Sequence, residues 1–199
     1  MKAPEQTTDR RAPIIERIEV RTQRPDHAQA YRHALRGNPV ARVAEGPLLE
    51  GCIADAAIAP TNGFGHLDAG IDGVFARRFG RRTQRSLQER IGLEFDGELP
   101  VGNAIILATG DLALPFMVAA PATQFPASIT PEPMLYRSVR AALDALDAWN
   151  AADDGPWIQS VILPDPAVAA RSWDVGQLAM QLSAALRDWQ RSIRSRHAA

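Results

Sequence analysis

The residues best placed to do chemistry are an amide and a carboxylate that stand ten positions apart in one glycine-rich segment. Asn62 and Asp72 mark the two ends of the sequence NGFGHLDAGID, which leads from an apolar stretch into a helical one. Glycines let the backbone approach a ligand closely, and the first turn of a helix offers free N–H donors to an anion. The segment therefore predicts a site for an anionic ligand.

Each of these residues also has a simpler interpretation, and both interpretations stay open. Asn62 could do no more than close a tight turn, and Asp72 could merely cap the following helix. Phe64 could stack on a ribose or a base, or it could anchor the loop against the core. His66 has no second His, Cys or carboxylate at the spacing of a recognised metal site, so we interpret it as a surface loop residue. No metal site is predicted.

Alternating strands and helices must position this segment. Short apolar stretches predict strands over residues 15–22, 40–44, 54–60, 103–109, 114–123 and 157–163. Helical periodicity predicts helices over residues 27–36, 74–80, 81–92, 132–149 and 175–193. Asp26 is the expected N-cap of the first helix, and Asp174 or Ser172 that of the last. This order predicts an α/β fold with a sheet between helical layers and with ligands at the carboxyl ends of the strands.

Composition narrows the classes of partner. The 199 residues carry 22 Lys and Arg against 23 Asp and Glu, so the formal net charge is −1, and 46% of the residues are apolar. We therefore expect one globular domain from residue 13 onwards, after a disordered tail of residues 1–12, and neither nucleic acid nor membrane as a partner. Cys52 is the single cysteine, which excludes an internal disulfide. Residues 1–20 lack the apolar core of a signal peptide, so we expect a cytoplasmic protein.

One cluster of positive charge suggests a different function. The segment 77–85 contains five arginines: Arg77, Arg78, Arg81, Arg82 and Arg85. A nucleic-acid site on this face would predict binding that falls steeply with salt. The balanced charge of the whole chain favours instead a solvated helix face, partly neutralised by Glu89 and Glu94 nearby.

The order of motifs around Asn62 resembles that of the macro domains. In that family a strand of the type V-D-A-I-V-N-A-A-N leads into a glycine-rich loop that ends in G-V-D-G. The corresponding sequences here are ADAAIAPTN over residues 54–62 and GIDG over residues 70–73. The sequence GELPVGNA over residues 97–104 is similar to the family's G-x-x-P-x-G-x-A turn. The resemblance covers roughly residues 40–192 and implies a three-layer α/β/α fold with a central mixed sheet.

The resemblance also implies a ligand and roles for residues. Macro domains bind ADP-ribose, and some hydrolyse ADP-ribosyl esters. Carried over by position, Asn62 would hydrogen-bond the distal ribose, and Asp72 would orient or activate a water near its anomeric carbon. Further ligand contacts are expected at Gly63, Phe64, Gly70, Ile71 and Gly73, and in a second loop at Val168, Ala169, Arg171 and Trp173. ADP-ribose or an ADP-ribosylated protein is the implied partner, no cofactor or metal is needed, and the oligomeric state is left open.

The sequence departs from the family pattern at three places. Gly46 is followed by Pro47, where the family has an Asp that recognises adenine, and Ala59 replaces the first Asn of N-A-A-N. The second phosphate loop, residues 164–173, contains no glycine. Asp165 in that loop would repel a pyrophosphate, although Arg171 could replace some phosphate contacts. The alternative hypothesis is therefore a degenerate macro-fold module that has lost its ligand and acts through protein contacts.

Overall fold

A computed structural model of the chain describes residues 14–68, 70–123, 134–152, 155–168 and 174–197. Its elements in chain order are β1 (Arg17–Thr22), α1 (Pro25–Ala34), β2 (Ala41–Glu45), β3 (Ala56–Ala59), α2 (Gly70–Glu94), β4 (Ile105–Ala108), β5 (Phe116–Ala119), α3 (Met134–Ala152), β6 (Ser160–Pro164) and α4 (Val175–His197). A short 3-10 turn, Pro166–Val168, follows β6. The tail predicted over residues 1–12 lies outside the described residues.

The six strands form one mixed sheet in the order β2-β1-β6-β3-β5-β4. Every neighbouring pair is parallel except β4 and β5, which are antiparallel. Parallel strands end at the same edge of a sheet, so the carboxyl ends of β1, β6 and β3 lie side by side. The segments that follow these three strands therefore meet at one edge, as the sequence pattern predicts.

Helices cover both faces of the sheet, which confirms the α/β/α architecture. One core cluster contains Ile58 of β3 and the apolar faces of α1, α3 and α4. The other contains Ala57 and Ala59 of β3, the apolar face of α2, and the segment 48–54. Successive strand residues point to opposite faces, so β3 contributes to both clusters although it has only four residues. Within the described ranges, no helix combines the length and apolar character that crossing a membrane requires.

Helix α2 joins the two helices predicted over 74–80 and 81–92. Gly80 interrupts it with φ +77° and ψ 173°, a conformation outside the helical region. The left-handed region is accessible to glycine without a steric cost, since glycine has no Cβ. The boundary between the two predicted helices thus lies at a kink inside one longer element.

The predicted N-caps have different outcomes. Asp26 as the cap of α1 is wrong: Arg24 holds the cap position without a side-chain cap, and Asp26 lies in the first turn, where its carboxylate pairs with Arg24 at 2.6 Å. Pro25 begins this helix because its fixed φ and missing N–H suit the first helical position. Asp174 caps α4 as predicted, since its Oδ1 accepts the backbone N–H of Gln177 at 3.0 Å. Ser172 lies outside the described residues.

Candidate functional site

Asn62 lies where β3 passes into the loop before α2. A bridge to Thr123 extends the pairing of β3 with β5 to this position, and the Asn62 side chain is almost completely buried. Its Oδ1 accepts the backbone N–H groups of Phe64 at 3.1 Å and His66 at 3.2 Å. Its Nδ2 donates to the carbonyl oxygen of His66 at 2.8 Å. Asn62 therefore holds the loop in one conformation from within.

Asp72, in the first turn of α2, faces Asn62. The distance from Asn62 Nδ2 to Asp72 Oδ2 is 3.5 Å, at the outer limit of a hydrogen bond. Asp72 Oδ1 is shielded from solvent and has no hydrogen-bond partner among the described residues. Burial raises the pKa of the Asp72 carboxyl to about 7, the nearby charge of Asp68 adds to this, and the Asn62 amide opposes it. The carboxyl can thus both accept and donate a proton at neutral pH.

Two glycines give the loop its shape. Gly65 has φ +67°, and a Cβ at this position would lie 2.9 Å from Ile91 Cδ1 and 3.0 Å from Leu87 Cγ of α2. Any side chain would therefore push the loop off the helix. The carbonyl oxygen of Gly63 accepts the N–H of Leu99 at 2.8 Å, which ties the loop to the turn that begins at Gly97. The resemblance to the G-x-x-P-x-G-x-A motif thus corresponds to a physical contact with the site.

The other residues predicted to touch a ligand in this loop differ in exposure. The side chain of Ile71 is buried in the core against the sheet, so only its backbone can face a ligand. Phe64 is half-buried, and Gly70 begins α2 with φ +60°. A Cβ at Gly73 would lie 3.4 Å from Nη1 of Arg77, so this guanidinium folds back over the first turn of α2.

The arginine segment is largely a solvated face of α2. Four of its members are exposed: Arg77, Arg81, Arg82 and Arg85. Arg78 is less exposed and pairs with Asp111, with 2.7 Å between Nε and Oδ2. Glu94 pairs with Arg90 at 2.6 Å and not with the cluster. Arg77 is the member that lies over the first turn of α2.

Asp165 does not face the ligand space, and the expectation that it would repel a pyrophosphate is wrong. Its side chain is completely buried. Oδ2 accepts from Thr22 Oγ1 and is 2.6 Å from His27 Nδ1, while Oδ1 accepts from the Tyr31 hydroxyl at 2.7 Å and the Ala167 N–H at 2.9 Å. Asp165 thereby fastens the turn after β6 to β1 and α1.

Val168 ends that turn half-buried, and the other predicted contacts of this loop, Ala169, Arg171 and Trp173, lie outside the described residues.

The sequence does not predict that Thr22, His27 and Tyr31 contact Asp165, because more than 130 positions separate them from it. The one local signal is that His27 and Tyr31 stand four residues apart, which places them on the same side of α1. Burial beside Asp165 raises the pKa of the Tyr31 hydroxyl far above its ordinary value, so Tyr31 remains a donor.

A cation stands near the position where the resemblance would place the adenine-recognising carboxylate. Arg21 Nε donates to the carbonyl oxygen of Pro47 at 3.0 Å, and Arg21 Nη1 pairs with Glu19 at 2.8 Å. Gly46 has φ +143°, and a Cβ there would lie 3.1 Å from Arg21 Nη2. The segment at Gly46 and Pro47, after β2, is therefore in contact with a guanidinium, where the family pattern has a carboxylate.

No family model matches the chain. An uncharacterized protein of Aquifex aeolicus (strain VF5) is 29% identical over 94 residues, which are 47% of this chain and 53% of that protein. The match thus spans about half the length of this curated relative.

Solved macrodomain structures are similar in fold to most of this chain. The macrodomain of Mycobacterium tuberculosis DarG is 18% identical with a TM-score of 0.59, over 73% of this chain and 88% of that one. A variant of the Oceanobacillus iheyensis macrodomain with ADPR (ADP-ribose) is 20% identical with a TM-score of 0.54, over 66% of this chain and 69% of that one. The chain has the macrodomain fold.

Proposed function

From the macrodomain fold, we propose that this chain binds ADP-ribose or a related nucleotide metabolite at the carboxyl edge of its sheet and hydrolyses ADP-ribosyl bonds there. The observation that carries the proposal is the Asp72 carboxyl. It has a shielded oxygen without a partner among the described residues, a pKa of about 7, and the Asn62 amide beside it. A carboxyl poised in this way at the start of a helix, after a glycine-rich loop, suits acid–base catalysis on a sugar phosphate.

In the proposed reaction, Oδ1 of Asp72 accepts a hydrogen bond from the attacking water molecule. Asp72 accepts a proton from that water as the water oxygen attacks the anomeric carbon of the distal ribose. The bond between that carbon and the ester oxygen breaks, and the carboxylate of the acceptor leaves with the electron pair. A base whose pKa lies near neutral pH is well matched to this transfer, since about half of it is ionised when the reaction starts.

Binding is supported by the loop and by a positive charge near it. The first turn of α2 presents backbone N–H groups and a favourable dipole to phosphate oxygens. Arg77 folds back over this turn and adds a full positive charge. A similar fold accommodates ADP-ribose in the O. iheyensis macrodomain variant.

Calorimetric titration with ADP-ribose tests the binding step, with AMP and ribose 5-phosphate as controls. We expect ADP-ribose to bind with a dissociation constant on the order of micromolar, and AMP and ribose 5-phosphate to bind measurably but more weakly. No heat and no thermal stabilisation at millimolar ADP-ribose would contradict the proposal.

An assay with an ADP-ribosyl ester tests the chemical step. Asp72→Asn keeps the shape of the side chain but removes the base, so we expect hydrolysis to fall by about 100-fold or more while ADP-ribose still binds. Asp96→Asn is the matched control, because Asp96 is exposed in the turn after α2 and does not contribute to the pKa of Asp72. Equal turnover by the Asp72→Asn variant and the wild type would remove Asp72 from the mechanism.

A second candidate function, a module without ligand that acts through protein contacts, is favoured by one observation. Within its own loop, the Asn62 side chain accepts two hydrogen bonds at Oδ1 and donates one of its two N–H groups. Such an amide is a turn-forming residue first, and it can serve a ligand only with its remaining N–H. Absence of binding in the calorimetric titration would select this candidate.

A further inference from the structure

A second polar group lies at the same edge of the sheet, around His27. His27 is in the first turn of α1, directly after β1, and Asp165 follows β6. Asn62 follows β3, and β6 pairs with both β1 and β3. Neighbouring strands are about 4.8 Å apart, so the ends of β1 and β3 are separated by about 10 Å. The His27 and Asp72 groups thus stand on either side of the end of β6.

Asp165 controls how the imidazole of His27 is presented. The carboxylate of Asp165 has four hydrogen-bond partners, two on each oxygen, and His27 is one of them. The three partners besides His27 are donors, namely two hydroxyls and one backbone N–H. A fully buried carboxylate in such a site acts as an acceptor, so Nδ1 of His27 carries the proton that it shares with Asp165 at 2.6 Å. Nε2 is therefore the ring nitrogen left for another partner.

Nε2 is available to a ligand. No described residue hydrogen-bonds it, and the His27 side chain is 14% exposed. The neighbouring charged side chains do not occupy Nε2, because Arg24 and Asp26 pair with each other. The Tyr31 hydroxyl stays protonated, since burial raises its pKa.

We infer that His27 binds the nucleoside monophosphate half of the ligand through Nε2, which donates to a phosphate oxygen. This inference rests on the proposed function. A ligand whose distal ribose lies at Asp72 and whose diphosphate crosses the end of β6 brings its other half to the end of β1. The geometry thus divides the ligand between two groups: Asn62 and Asp72 hold the distal ribose, and His27 holds the opposite half.

The test uses the full chain and three ligands that report on different halves of the site. ADP-ribose, AMP and ribose 5-phosphate are titrated against the wild type and His27→Asn. Asparagine places an N–H near the position of Nδ1, which retains the bond to Asp165, and it has no counterpart of Nε2. His33→Asn is the matched control, because His33 is exposed near the other end of the same helix.

We expect His27→Asn to weaken the binding of ADP-ribose and AMP by about 10-fold and to leave that of ribose 5-phosphate within about twofold. His33→Asn should leave all three unchanged. In the wild type, the ¹⁵N resonance of His27 Nε2 should shift when AMP is added, a readout that needs no substitution.

Two results would overturn the inference alone: an unchanged affinity for AMP and ADP-ribose in His27→Asn with a stationary Nε2 resonance, or an equal loss of affinity for ribose 5-phosphate. Failure of the wild type to bind ADP-ribose would overturn the proposed function, and the inference with it.

Discussion

The carboxyl of Asp72 costs the native protein stability when it is ionised. Its pKa of about 7 lies above the ordinary value of 3.8, so between these pH values the native state binds more protons than the unfolded state. The free energy of unfolding must therefore fall as pH rises through this window, and it stays lower above it. The same burial that makes Asp72 a base at neutral pH makes it a local source of instability.

Replacing Asp72 should remove this pH dependence. We expect Asp72→Asn to stabilise the protein more at about pH 8.5 than at about pH 5, with a difference of about 1 to 3 kcal/mol, because the asparagine never ionises. Urea unfolding of both proteins at the two pH values measures it. Asp96→Asn, at an exposed position in the turn after α2, should show little change between the two pH values. An equal effect of Asp72→Asn at both pH values would contradict the prediction.

Asn62 shows what residue type can and cannot predict. An Asn followed by glycine predicts a turn, and the same Asn placed before a buried carboxylate suggests a ligand contact. The structure shows that an amide has enough donors and acceptors to take part in both, since three of its four positions serve the loop and the fourth points towards Asp72. Whether this last N–H reaches a ribose stays a prediction.

At the level of elements, apolar periodicity predicted the strands and helices that the structure contains. The error at the start of α1 has a local cause. Asp26 was expected to cap this helix, but Pro25 sets the first helical position two residues earlier than that cap would. The boundary predicted between the helices over 74–80 and 81–92 is confirmed, because the non-helical conformation of Gly80 separates two helical segments within α2.

Two glycines of α2 should respond in opposite directions to alanine. A Cβ at either Gly80 or Gly92 would meet nothing within 4 Å, but Gly80 has φ +77°. Gly80→Ala should therefore cost about 1 to 2 kcal/mol of stability through backbone strain alone. Gly92→Ala should gain about 0.5 to 1 kcal/mol, because alanine restricts the unfolded chain and favours helix. Urea unfolding of the pair measures both, and effects of the same sign would contradict the kink.

At the scale of the whole molecule, Asp165 joins parts of the chain that are far apart in sequence. Its carboxylate collects hydrogen bonds from β1, from α1 and from the turn after β6. Hydrogen bonds to a buried carboxylate offset the cost of removing it from water. The turn that leads into the second predicted ligand loop is therefore anchored from inside the protein, beneath the edge where the ligand is proposed to lie.

The two tyrosines of the chain form a matched test of this anchor. Each donates its hydroxyl to an aspartate: Tyr31 to the buried Asp165, and Tyr136 to Asp188 nearer the surface. Tyr31→Phe should cost about 1 to 3 kcal/mol, because it leaves a buried carboxylate oxygen short of a donor that water cannot replace. Tyr136→Phe should cost less than about 0.5 kcal/mol, since water can take its place. Equal losses in urea unfolding would contradict the anchoring role.

By itself, the sequence determined the features that depend on near neighbours along the chain. These are the order of strands and helices, the glycine-rich loop with Asn62 and Asp72 at its two ends, and the motifs that resemble those of macro domains. Each depends on periodicity or spacing within some 10 to 25 residues, where chain geometry limits the possible arrangements.

Only the tertiary structure decided which strands are neighbours, how deeply Asp72 is buried, and which way Asp165 points. β1 lies between β2 and β6, and the carboxylate of Asp165 meets His27 across 138 positions of sequence. Contacts of this kind depend on the packing of the whole chain, and so do the desolvation that shifts the pKa of Asp72 and the hydrogen bonds that turn Asp165 inward. No local pattern encodes them, because the partners are brought together only when the sheet is assembled.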